Sequence, residues 1–470
     1  LSHRVVVLGA GVTGLAAAWR LPGPAFDVQV LEAGDNAGGI GASMPVEGFV
    51  LDHGIHGLYA ARPETKPIVE ELHRAFGADF LTISKKTSIW FRGRHLRYPL
   101  EARDLFRALD PLTAARCFLD FVATRLRKRL RPPGAAPGFE RWVVDRFGRS
   151  LYGLYFGPYV EKVWGVSGSR MSSAWLARRI SEVSLWKVAR NALLRRLRRG
   201  PHEHEMHSLQ PQTFLYPPKG SGLLVGRIGE AALRGGARLT LRSRAERLLL
   251  EGKRVVAVEV SRDGRLERVA ADSVVSTIPL PALLRLLGPD LPPEVAAAGR
   301  RLRFRSMAIV VLFVDRPRVY EDQWVYYSDP SIPFNRVNEF TNVAPGFSPP
   351  GKTALSCEIT CFAGDSTWNA PDADLAARCA RAFESLGVLR PGEVRGHRVA
   401  RLGNAYPIFE VGVEEALGEA LRFVESHENL HTIGRQGRFE YINMDECVWH
   451  ASRAAEAIAA AAAAPARLRA

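Results

Sequence analysis

Val5-Val6-Val7-Leu8-Gly9-Ala10-Gly11-Val12-Thr13-Gly14 opens the 470-residue chain with an aliphatic run that ends in a Gly-x-Gly-x-x-Gly turn. The unbroken β-branched run predicts a strand buried on both faces of a parallel sheet, and the Ala-rich residues 15–21 behind it predict a short helix. Gly9 permits the tight turn, Gly11 lets the backbone approach a pyrophosphate, and Gly14 lets helix and strand pack closely, while the helix N-terminus offers its amides to phosphates. A second strand, residues 28–31, ends at Glu32, where a carboxylate accepts both ribose hydroxyls of an adenosine and disfavours a 2′-phosphate. Gly38-Gly39 follows, spaced to touch the same cofactor. An acid followed by Gly-Gly is the pattern of FAD enzymes rather than of NAD dehydrogenases. Since no Cys or His stands where a flavin linkage is expected, the FAD is read as non-covalent.

Two later stretches point back to the same unit. Asp272-Ser273-Val274-Val275-Ser276-Thr277-Ile278-Pro279 resembles the strand that leads back into the fold of FAD enzymes after an inserted β-meander, and Leu430-His431-Thr432-Ile433-Gly434-Arg435 resembles their C-terminal strand with its glycine turn. Between them, residues 104–199 carry apolar groups at helical spacing (Leu105, Leu109, Leu112; Phe118, Phe121, Val122), broken at Pro132-Pro133-Gly134. Residues 239–250, 255–260, 273–278, 308–314, 324–327 and 353–360 read as strands, and residues 372–386 as a helix. The expected fold class is α/β: a Rossmann-like FAD-binding domain with a parallel sheet and inserted meander (1–85, 212–285, 425–465), a helical insert (100–211) and a β-sheet substrate domain (86–99, 286–424).

Composition narrows the functional classes. With 64 Lys plus Arg against 49 Asp plus Glu, the formal charge is +15. Residues 116–131 hold six bases and one acid, and residues 170–199 nine and one, so +5 and +8 account for +13 of it. Such runs read first as solvated helix faces; no apolar anchor beside the arginines is evident in the sequence, which leaves peripheral membrane contact as the secondary expectation. No run of eighteen apolar residues exists, which excludes an integral membrane protein, and the N-terminus enters a strand at once, so a cytoplasmic location is expected. The five cysteines fit neither a disulfide framework nor a zinc pattern. His202-Glu203-His204-Glu205-Met206-His207 would present ligands only if extended, so no metal is assigned. The basic stretches carry no nucleic-acid motif, and nothing indicates the oligomeric state.

Four ordered motifs beyond the glycine turn resemble the FAD superfamily of protoporphyrinogen oxidases and amine oxidases, in the branch that contains UDP-galactopyranose mutase. Gly54-Ile55-His56-Gly57-Leu58-Tyr59 resembles the loop against the flavin ring, with Tyr59 in place of a second His. Pro158-Tyr159-Val160-Glu161-Lys162-Val163-Trp164-Gly165 resembles a segment beside the substrate, followed by Arg178 and Arg179. Ile332-Pro333-Phe334-Asn335-Arg336-Val337 resembles the stretch with a phosphate-binding arginine. Gly434-Arg435-Gln436-Gly437-Arg438-Phe439-Glu440-Tyr441-Ile442-Asn443-Met444-Asp445 resembles the terminal motif, with Asn443 in place of an Asp. The resemblance implies His56, Arg336 and Tyr441 as catalytic, and Gly434, Arg435, Met444 and Asp445 as further FAD-binding residues. It also implies Tyr159, Trp164, Arg178, Arg179 and Glu358 around a small anionic substrate, with a nucleotide sugar or another diphosphate as the expected type. Trp164 has a plain alternative as a core anchor, His56 as a loop-orienting side chain and Asp52 as a turn cap. Hydride transfer to the flavin is the expected reaction, and a mutase-like isomerisation without net redox change is the alternative.

Overall fold

The computed structural model describes residues 2–46, 48–98, 104, 108–130, 138–173 and 213–463. Its first layer is a five-stranded parallel sheet in the order Leu430–Thr432, Ser273–Ser276, His3–Leu8, Phe26–Leu31, Arg238–Thr240, so that strands from the start, middle and end of the chain lie side by side. Alternation in the central strand sorts its side chains. Val5 and Val7 pack with Leu15, Leu224 and Val448 of helices Val12–Trp19, Ser221–Arg234 and Met444–Ala463. Val6 and Leu8 pack on the other face with Leu283, Val295 and Val424 of helices Leu280–Leu286, Pro293–Arg301 and Val413–Glu425. A strand covered on both faces needs apolar residues at every position, which is what its sequence has.

The first helix starts at Val12, three residues earlier than its alanines suggest, because Gly11 in extended conformation serves as its N-cap. The alternating stretch 239–250 is two elements. Arg238–Thr240 closes the parallel sheet, Arg242 takes a positive φ of 53°, and Ser243–Glu251 starts a three-stranded antiparallel meander with Arg254–Arg262 and Arg265–Ala270. Alternation reports pleating and passes through a corner without a mark.

The second layer is a seven-stranded sheet in the order Val394–Pro407, Phe304–Val314, Thr353–Cys361, Arg336–Glu339, Trp324–Tyr327, Thr87–Phe91, Arg94–Arg97. Its longest inner strand again divides by parity. Ala308, Val310, Leu312 and Val314 meet Leu375, Cys379 and Phe383 of helix Asp372–Ser385, while Met307, Ile309, Val311 and Phe313 meet the helical insert. Among the described residues the insert comprises Pro111–Leu130, Phe139–Phe147, the short turn Arg149–Leu151, the π-helical turn Tyr152–Phe156 and Gly157–Trp164. Val394–Pro407 is half-exposed and rich in Arg and Gly, so no apolar pattern marks it; backbone pairing with Phe304–Val314 along most of its length defines it.

Candidate active site

A cavity of about 1220 Å³ begins at the carboxyl ends of the parallel strands and runs between the seven-stranded sheet and the insert. That is where open parallel sheets bind ligands, since the strand-to-helix turns point amides into the crevice. At this end Gly9 holds φ +98°, and a side chain there would lie 2.6 Å from Thr277 Oγ1. A Cβ on Gly14 would stand 2.0 Å from the Gly9 carbonyl oxygen, which is the contact that lets the helix seat on the turn. A Cβ on Gly11 would meet nothing within 4 Å, and Gly11 lines the cavity. No side chain caps the helix that starts behind it. The wall therefore has room for a pyrophosphate at a helix N-terminus whose amides suit an anion.

Glu32 sits beside this wall with each carboxylate oxygen accepting one amide, Ala10 N at 2.9 Å and Gly34 N at 2.8 Å. Each oxygen keeps a lone pair for a hydroxyl, so the acid is oriented and still available. Gly38 and Gly39 complete the wall, Gly38 N donating to Ala10 O at 2.8 Å. Asp52 behind them holds no turn of its own: it is buried and accepts from Ser43, Tyr216 and Ser221 N, which ties its strand to the start of helix Ser221–Arg234. These residues fit the adenosine, ribose and pyrophosphate of FAD.

The other end is aromatic. Tyr155 and Tyr159, one turn apart on the insert, stack with centroids 6.1 Å apart, and Tyr326 meets Tyr159 edge-on at 6.5 Å. Lys85 reaches over Tyr98 and Trp324, with Nζ 5.6 and 5.8 Å from the ring centres. Burial, helped by the Arg336 charge, brings the Lys85 ammonium down to about 8. Tyr441 stacks on Tyr406 at 5.2 Å and carries the Arg435 guanidinium 4.2 Å above its ring, while Arg435 donates to the carbonyls of Ile442 and Ala405. Burial, followed by the charges of Arg435 and Arg336, depresses His56 to about 3, so its imidazole is neutral at physiological pH. Burial likewise raises the Tyr59 phenol, which stays protonated.

Of the residues singled out in the sequence, Gly9, Gly11, Glu32, Gly38, Gly39, Arg435 and Met444 line the cofactor side or the middle of this one cavity. His56, Tyr159, Trp164, Arg336 and Tyr441 line it as well. Gly14 and Gly434 lie behind the wall as packing residues, Gly434 against Thr13. Asp445 is also off the wall, buried in the first turn of the last helix and facing Thr65 and the Ala60 amide. Glu358 needs correction as a substrate residue: it is fully buried beneath the cavity and holds Arg336, Nε at 2.9 Å and Nη2 at 2.7 Å, while Asn338 donates at 2.8 Å. The fork that was to grip a diphosphate is thus closed on the chain's own carboxylate. Lys162 is turned away, donating to the carbonyls of Tyr327 and Asp329. Arg178, Arg179 and His202-Glu203-His204-Glu205-Met206-His207 lie outside the described residues.

Sequence reasoning passed over Lys85, Tyr98, Tyr155, Trp324 and Tyr326. Tyr155 and Tyr159 at i and i+4 were a usable signal, since that spacing puts two rings on one helix face. The others are brought in by strand pairing, Trp324–Tyr327 lying parallel to Thr87–Phe91.

A family model for flavin containing amine oxidoreductases matches residues 12–459. The chain is 25% identical over 337 residues to a coproporphyrinogen III oxidase of Mycobacterium leprae, covering 68% of this chain and 69% of that one. It is 28% identical over 388 residues to a zeta-carotene-forming phytoene desaturase of Myxococcus xanthus, covering 75% and 71%. The crystal structure of reduced UDP-galactopyranose mutase superposes with a TM-score of 0.81 at 22% identity, covering 100% and 98% of the two chains. The family match extends over nearly the whole chain, and the glycine wall with Glu32 suits its cofactor, FAD. The chain belongs to the flavin containing amine oxidoreductase family.

Proposed function

We propose that this chain is an FAD-dependent oxidoreductase that dehydrogenates an extended, unsaturated and mainly apolar substrate. The observation that carries the reading is the composition of the second end of the cavity among the described residues, where tyrosines, tryptophans and phenylalanines form much of the wall and Arg336, the described arginine expected to meet a phosphate, is held by Glu358. A diphosphate needs open guanidinium forks, whereas flat unsaturated carbon skeletons need ring faces. Both curated relatives are named for unsaturated substrates, coproporphyrinogen III and phytoene, and the second of these is the extended apolar kind. Likeness to the mutase at 22% identity supports the fold and not its reaction.

Bound FAD supplies the two-electron acceptor for a hydride leaving a substrate carbon. The protein's task is to hold that carbon, exclude water and take up the proton that leaves with the hydride. Tyr155, Tyr159, Trp324 and Tyr326 hold a flat substrate between the insert and the sheet. Lys85 Nζ exchanges its proton near pH 8, which suits it to accept the substrate's proton or to meet an acidic substituent. The neutral His56 ring presents a polar but uncharged edge, so it does not compete for an anion.

Anaerobic mixing of the flavin-loaded protein with coproporphyrinogen III, phytoene and UDP-galactopyranose tests the proposal. Bleaching of the flavin's visible absorption by one of the first two supports it. Interconversion of UDP-galactopyranose by the chemically reduced protein, with no bleaching by any substrate, would transfer the assignment to the mutase reaction.

A further inference from the structure

Helix Pro111–Leu130 presents opposite faces to the protein and to solvent. Inward, Cys117 is buried in the core shared with Phe139 and Trp142, and Asp120 accepts the Ser150 amide at 2.6 Å. Outward, Leu112, Leu119 and Leu126 are 81, 66 and 58% exposed. They are seven residues apart, so they form one stripe along the helix, and Phe118 and Val122, 54 and 37% exposed, widen it. A contiguous apolar face of this kind marks an interaction surface, since isolated exposed leucines would be scattered.

The charges beside the stripe identify what it meets. At about 100° per residue, Arg116 and Arg127 fall on one flank and Arg125 on the other, and all three are exposed. Arg125 lies over the Phe121 ring, 5.3 Å from its centre. Asp120 is the only acid between Pro111 and Leu130, and it is turned inward, so the charges of the outer face are all positive. An apolar stripe with arginines on both flanks matches the layered chemistry of an anionic bilayer surface, acyl chains beneath phosphates, with the arginine stems lying along the apolar layer. Among the described residues no helix is long and apolar enough to cross a membrane, so this helix would lie in the surface.

We propose that Pro111–Leu130 is an interfacial helix that docks the protein on a bilayer containing anionic lipid. The helix packs on Phe139–Phe147, whose Phe139 and Phe147 line the aromatic end of the cavity, so the docked bilayer is one helix away from that end. The inference rests on the exposed face alone and stands whether or not the proposed substrate class holds.

Flotation of the full-length, flavin-loaded protein with phosphatidylcholine vesicles, with and without about 30% phosphatidylglycerol, tests it. The wild type is expected to float with the anionic vesicles at low salt and to be weakened by added salt. Leu119→Glu/Leu126→Glu should lower the partition coefficient by about a hundredfold or more, with the flavin retained. Arg116→Gln/Arg125→Gln/Arg127→Gln should lower it at least about tenfold on the anionic vesicles and remove their advantage. The milder Leu119→Ser/Leu126→Ser should lower it in the same direction, which guards against a folding defect of the glutamate variant. Absence of flotation by the wild type, equal flotation on neutral vesicles, or leucine variants that float like the wild type would overturn the proposal. So would a wild-type dimer that the leucine variants dissociate without any flotation, since a second copy would then cover the face.

Discussion

The two ends of the cavity are built from different materials. The cofactor end is made of backbone: glycines at Gly9, Gly11, Gly38 and Gly39, a helix N-terminus and one carboxylate. The aromatic end is made of side chains from three separate segments, Lys85 and Tyr98 before the insert, Tyr155 and Tyr159 within it, and Trp324, Tyr326 and Arg336 after it. A backbone site has to be written locally, because each unusual conformation demands its own residue. A side-chain site can be assembled from positions far apart in the chain, and its residues are ordinary until pairing brings them together.

The comparison predicts a graded response to substitution. Gly14→Val should have the largest effect, about 5 kcal/mol of stability or outright loss of flavin, because its Cβ meets backbone at 2.0 Å and cannot displace it cheaply. Thermal unfolding together with the flavin content of desalted protein measures this, and a variant that keeps both would remove Gly14 from the packing argument. Glu358→Ala comes next, at about 3–5 kcal/mol in urea unfolding, since it leaves the buried Arg336 charge without its partner. A loss confined to substrate affinity, with stability unchanged, would return Glu358 to the substrate wall.

Smaller effects separate the two ends. Lys85→Met should slow anaerobic flavin reduction by about a hundredfold at its best pH, the usual scale for a lost proton acceptor. Below pH 8 the wild-type amine is protonated and cannot accept, so the rate should climb with pH and level off above about 8, and this inflection should vanish in the variant. An inflection that persists would assign the proton to another group. Glu32→Ala should weaken FAD by about 1–2 kcal/mol, roughly tenfold in Kd, as read from flavin fluorescence during titration.

The same contrast explains what the sequence revealed. The glycine turn, Glu32 and the second glycine pair were legible because spacing and local conformation carry the information, and the parallel sheet followed from them. Arg336 and Glu358 were both visible as residues, but their union depends on cross-strand register, Arg336 opposite Glu358, which no local pattern records. The helix at 111–130 was visible from its apolar spacing, yet period alone does not say which face is inward. Leu112, Phe118 and Val122 carry the helical period and are exposed, while Cys117 between them is buried. Lys85 gave no signal because its depressed proton affinity arises from burial against Tyr98 and Trp324, the latter more than two hundred residues later.

Measuring both the flavin Kd and the rate of anaerobic reduction at saturating FAD, in Glu32→Ala and Lys85→Met side by side, tests the division most directly. The account predicts that the losses segregate: Glu32→Ala weakens FAD roughly tenfold and, once saturated, reduces at the wild-type rate, while Lys85→Met holds FAD as the wild type does and reduces about a hundredfold more slowly. Equal loss of flavin in the two variants, or a saturated Glu32→Ala as slow as Lys85→Met, would contradict it.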